Sequence, residues 1–234
     1  MACGVFVIFG KILSMEKKKN NLFEIVAHEI GHLLVDMIIE HKYDVYKLRS
    51  FNIFYAPTRD YDELTEFGNP FCGSVCFEDS KIETYEQLIE EGDIAKIQLT
   101  KISLLFGSLL QSYYSRDRFG AILDDNAGKS DKCKFEKLFN SVDEIEQGYF
   151  SRNYFSDYFS DVLQKLHDEI RILIREIRNE AYEKYFLFYQ DSCKEKKLLL
   201  IEIKGDRLNE LKQNLKEKPS YNELVDLVNN FPEG

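Results

Sequence analysis

His28-Glu29-Ile30-Gly31-His32 is the segment of this chain whose residue types and spacing can do chemistry. Histidines four apart lie one turn apart on a single helix face, so two imidazole nitrogens can reach one metal ion. An imidazole pair suits zinc, and the glutamate after the first histidine can point at an open coordination position where a water sits. That is the arrangement of metal-assisted peptide hydrolysis, with the glutamate as general base. The chain has 4 His in 234 residues, and a chance occurrence of the full pattern is on the order of 1%. A buried amphipathic helix with two satisfied histidines would not need a glutamate at the one position the chemistry requires.

The metal needs a third protein ligand, usually His, Asp or Glu. Val35 and Ile38 stand where a metzincin would carry Gly and His, which excludes that class. His41 falls at or beyond the end of the motif helix and on the wrong face. His167 lies in a charged helical stretch and reads as a solvent-facing or interface histidine. Carboxylates remain: Asp124, Asp125 and Asp131 after a long apolar helix, and Glu63, Glu86, Glu90 and Glu91 in the middle of the chain. The residues alone leave this choice open.

For the two histidines to act together their segment must be helical. Ile25, Val26, Leu33, Leu34, Met37 and Ile38 recur at helical spacing, so Leu22 to Glu40 reads as a helix. Asn20 or Asn21 can cap it. Gly31, between the histidines, lets another backbone or a substrate come close. Before this helix, Ala2 to Met15 is apolar but shorter than the roughly 20 residues a membrane span requires. It reads as a strand, a short packing segment or an irregular leader.

After the helix, alternating aromatic and β-branched residues predict strands within Tyr43 to Tyr55 and Phe71 to Phe77, forming a small antiparallel sheet or hairpin. The edge of residues 71–77 could pair with an extended peptide. Thr84 to Gly92 predicts a short helix, Asp93 to Arg116 a long apolar one, and Lys132 to Asn140 the start of another. From about residue 141 onward the chain reads as helical and charge-rich, closing with helices over Asp206 to Lys218 and Tyr221 to Asn230. The expected fold class is mainly α (α+β): a short apolar segment at 1–15, a zinc-peptidase core at 16–140 and a C-terminal helical region at 141–234.

Composition narrows the partners. The formal net charge is −10, which disfavours nucleic acid. Five cysteines, odd in number and scattered, disfavour a disulfide framework and fit a reducing, cytoplasmic location. Cys72 and Cys76 lack a matching second pair and read as ordinary thiols. A membrane location is not expected. At 44% hydrophobic and 14% aromatic residues the chain can build a proper core.

Over most of residues 16–234 the chain resembles the peptidase domain of FtsH-type ATP-dependent zinc proteases. Val26-Ala27-His28-Glu29-Ile30-Gly31-His32 resembles that family's zinc helix. Val45 to Leu48 with Gly73-Ser74-Val75 resembles its strand pair, and Leu104 to Leu110 its glycine-marked helix. Ala127-Gly128-Lys129-Ser130-Asp131 resembles the turn leading to its aspartate ligand. The resemblance implies zinc held by His28, His32 and Asp131, with Glu29 as catalytic base. Gly128 stands three residues before Asp131, where the family's turn glycine stands four before its ligand, so Asp124 and Asp125 stay as alternatives. Gln111 also departs from the family, which has an acidic residue near that position.

The chain contains no ATPase module, and Leu123 stands where a phosphate loop ending in Gly128-Lys129-Ser130 would need glycine. The resemblance therefore implies a stand-alone zinc metallopeptidase that takes peptides or unfolded protein and does not drive itself with ATP. A separate ATPase or a homo-oligomer is the expected partner. The alternative is an inactive zinc-binding domain serving as an interaction or regulatory module.

Overall fold

The computed structural model describes residues 2–43, 47–56, 71–77, 93–114, 131, 138, 149–190 and 197–232. Helix α1 (Ala2–Lys42) is followed by strands β1 (Leu48–Tyr55) and β2 (Phe71–Phe77) and by helix α2 (Ile94–Ser112). Helix α3 (Arg152–Gln190), strand β3 (Leu198–Lys204) and helices α4 (Asp206–Lys216) and α5 (Pro219–Asn229) complete the order. The fold is mainly helical with one small antiparallel sheet, as the periodicities predict.

Residues 26–39 of α1 are buried without a break. A helix buried on all sides lies at the centre of a core, and α1 is surrounded there: α2 packs along it, and β1, β2 and α3 also contact it. Leu22, Val26, Ile30, Leu33 and Leu34 are fully inaccessible to solvent.

The sheet has the order β2-β1-β3, with both pairs antiparallel. Phe51 stands opposite Val75 on one side and Ile203 on the other, and Ile53 stands between Gly73 and Ile201. These residues share one face by the period-2 alternation of strands. Among the described residues, β2 has no strand partner on its outer side.

Three expectations need correction. Ala2 to Met15 is neither a strand nor an irregular leader, and Asn20 and Asn21 cap nothing: α1 runs unbroken from Ala2 to Lys42. No proline interrupts this stretch, an interior Asn costs only a few tenths of a kcal/mol, and extending an existing helix adds one hydrogen bond per residue. The region after residue 141 is not wholly helical either, because β3 interrupts it. Ile201 and Ile203 face inward and Glu202 and Lys204 outward, an alternation over too few residues to stand out after a long charged helix. Lastly, Pro219 does not merely separate the closing helices. It occupies the first turn of α5, where its missing N–H costs nothing.

The helix expected at Thr84 to Gly92 and nearly all of the one from Lys132 to Asn140 lie outside the described residues. Asp93 is the N-cap of α2, accepting from the Lys96 backbone N–H at 3.1 Å. Among the described residues, no helix is long and apolar enough to cross a membrane.

Candidate metal centre

The centre is assembled on the buried span of α1. Helical spacing stacks His28 and His32 on one face, with ring centroids 4.6 Å apart. Each ring is fixed from behind through Nδ1. His32 Nδ1 donates to the Ser103 carbonyl at 2.8 Å, and His28 Nδ1 donates to Gln111 Oε1 at 2.9 Å. Both partners lie on α2. A backbone carbonyl can only accept, so it fixes the proton of His32 on Nδ1 and leaves Nε2 as a lone-pair donor.

The two Nε2 atoms meet Asp131. Its Oδ2 lies 2.9 Å from His28 Nε2 and 3.1 Å from His32 Nε2, and the two Nε2 atoms are 2.9 Å apart. Three lone-pair atoms thus converge on one point. A tetrahedral zinc with bonds of about 2.0 Å holds its ligand atoms about 3.3 Å apart, so the three atoms fit such an ion after a shift of a few tenths of an ångström. His28 and Glu29 are each 6% exposed, His32 9% and Asp131 7%.

Electrostatics point the same way. Burial by itself would lower the His32 pKa, but the Asp131 carboxylate outweighs it, with help from Glu29 and Asp36, and the net value rises to about 9. Burial would also raise Asp131, yet His32 and His28 hold it far below the usual carboxylate range. In the protein without metal, a proton on His32 meets the demand for positive charge that a cation would otherwise fill. Asp36, one turn beyond His32, is pushed up to about 6, chiefly by burial. Its Oδ1 accepts from Ser103 Oγ at 2.7 Å, so one α2 residue serves both Asp36 and His32.

Two close approaches explain why glycines surround the motif. A Cβ on Gly31 would lie 2.7 Å from the Cα of Gly107, so α1 and α2 touch backbone to backbone at this point. A Cβ on Gly107 would lie 2.6 Å from His32 Nε2. Side chains at either position would drive the helices apart or evict the imidazole.

His28, Glu29 and His32 sit on the predicted helix, and Asp131 is brought to both histidines. Asp124, Asp125, Glu63, Glu86, Glu90 and Glu91 lie outside the described residues. His41 is in the last turn of α1, and the His167 ring lies tilted against Tyr114 with centroids 4.7 Å apart, outside the His28–His32–Asp131 group. Cys72 and Cys76 are free thiols on β2. Sequence reasoning did not assign roles to Ser103 and Asp36, and met Gln111 only as a departure from a family pattern. One signal was present: Ser103, Gly107 and Gln111 recur every four residues as small or polar interruptions of an apolar helix. Comparison with protein-family models, with curated proteins and with solved structures finds no match.

Proposed function

We infer that the chain is a zinc metallopeptidase of the FtsH-like kind, working in the cytoplasm. The observation that carries this reading is the convergence of His28 Nε2, His32 Nε2 and Asp131 Oδ2, with Glu29 on the same buried helix. These three side chains would hold the metal. Bound zinc would supply Lewis-acid chemistry, polarising the peptide carbonyl and making the attacking water more acidic. Glu29 takes the proton of the attacking water on its carboxylate and passes it to the leaving amine nitrogen. Gln111 and Ser103 hold the imidazoles with Nε2 forward. The outer edge of β2, next to Glu29, offers backbone groups to an extended substrate segment, which suits peptides and unfolded protein. A separate ATPase or a ring of copies would present such segments.

One observation favours a second reading. His28, Glu29, His32 and Asp131 are all buried, which restricts the approach of a polypeptide substrate to the site. A zinc-holding interaction module would keep the metal and cut nothing.

Metal analysis with cleavage of an unfolded, dye-labelled protein decides between them. The peptidase reading expects about one zinc per chain, with cleavage by the wild type and none by Glu29→Gln at the same zinc content. Zinc without Glu29-dependent cleavage favours the module, and absence of tightly bound zinc ends both readings.

A further inference from the structure

Gly73 lies in the middle of β2, opposite Ile53, on the sheet face turned toward α1. A Cβ built on Gly73 would lie 2.6 Å from Glu29 Cδ and 2.7 Å from Glu29 Oε1, and closer still to Cγ. The space of the missing side chain is therefore filled by the glutamate's own carboxylate arm. Backbone strain is not the reason for glycine here, because its φ is not in the left-handed region; among the described glycines only Gly205 has a positive φ. A position in the middle of a strand normally gains from a β-branched or aromatic side chain. Glycine at 73 costs strand stability and returns a seat for Glu29.

We propose that Gly73 is a positioning residue: its bare Cα holds the Glu29 carboxylate beside β2, on the α1 helix that carries His28 and His32, and a methyl group there displaces it. The inference deepens the peptidase reading and rests on it for its catalytic consequence. The contact itself can be tested without activity. Substrate pairs with the outer edge of β2, whereas Gly73 acts through the face of the sheet, so displacing Glu29 should slow turnover and leave binding intact.

The test is a double-mutant cycle on the full chain, read by thermal unfolding and by steady-state cleavage. Gly73→Ala is expected to lower Tm in the wild type and in Glu29→Gln, whose side chain has the same shape. In Glu29→Ala, where the arm is gone, the same substitution should leave Tm unchanged or raise it. With zinc content unchanged, Gly73→Ala should lower kcat about 100-fold while KM stays within about threefold. An equal Tm effect in all three backgrounds overturns the proposal, as does an unchanged kcat. If the wild type cleaves nothing, the peptidase reading fails by itself, and the Tm cycle still decides whether Gly73 seats Glu29.

Discussion

The two longest helices are close in length, 41 residues in α1 and 39 in α3, but they are buried in different ways. In α3 the inward residues, Phe155, Phe159, Val162, Leu166, Ile170, Ile174 and Ile177, recur every three or four positions. Between them lie exposed Asp161, Lys165, Asp168, Arg175 and Glu176. That is a helix with one dry side and one wet side. In α1 the span 26–39 has no wet side, yet it carries His28, Glu29, His32 and Asp36. Burying an ionisable group costs several kcal/mol unless it is paired, and apolar replacements often give a more stable protein. α3 places its charges where they cost little. α1 places four titratable groups where they cost most, and Gln111, Ser103, Asp131 and Gly73 are arranged around them. Stability alone does not account for such a choice.

The contrast can be broken most directly at α1. Glu29→Gln is expected to lower peptide cleavage by about 10²–10⁴-fold with zinc retained; a smaller loss in a cleavage assay would place the base elsewhere. Next comes packing. Leu33→Ala in the dry span of α1 should cost about 2–5 kcal/mol in denaturant unfolding. Gln111→Leu removes the acceptor behind His28 and should weaken zinc binding by about 10–100-fold in a chelator competition.

The metal-free protein adds a pH test. The His32 pKa is raised above its unfolded value, so its contribution to stability is full below about pH 6.5 and fades as pH climbs through about 9. Zinc competes with the proton on that same Nε2. Binding at neutral pH should therefore release protons, measurable by calorimetry in buffers of different ionisation enthalpy. The smallest effect belongs to α3: Ile172, 68% exposed on the wet side, should tolerate alanine within about 0.5 kcal/mol. A large loss there would mean that α3 has no wet side in the working protein.

The same contrast governs what could be read in the sequence. The alternation of buried and exposed residues along α3 is written in its residue types, and the helix was legible in outline. The motif in α1 was legible by residue identity and the helix around it by spacing from Leu22 to Glu40, but the extension of that helix back to Ala2 was not. Val5 to Phe9 is β-branched and aromatic, which suits a strand as well as a helix, and only continuity with the rest of α1 decides. β3 was missed because a seven-residue strand gains its stability from the edge of β1, far away in sequence. The placing of His28 and His32 together on one helix face was evident from spacing. Asp131 was singled out only through a family resemblance, since nothing local separates it from Asp124 or Asp125. The roles of Ser103, Gln111 and Gly73 depend on which α1 residue lies opposite, and that is a property of packing alone.

The order in which the sheet is joined bears on how the chain comes into being. β1 and β2 are near neighbours and can form a hairpin early. The other side of β1 waits for β3, and closing a loop of roughly 150 residues is slow because its entropy must be lost before the pairing repays it. During synthesis, then, β1 is an open, apolar edge of the kind that aggregates. The centre matures over a similar distance: His28 leaves the ribosome 103 residues ahead of the carboxylate it meets. A nascent chain stopped before Asp131 would hold two imidazoles and no finished site. One stopped before β3 would have its ligands and still expose β1. Completion of the sheet by the last quarter of the chain is thus the step that ends the protein's vulnerable period.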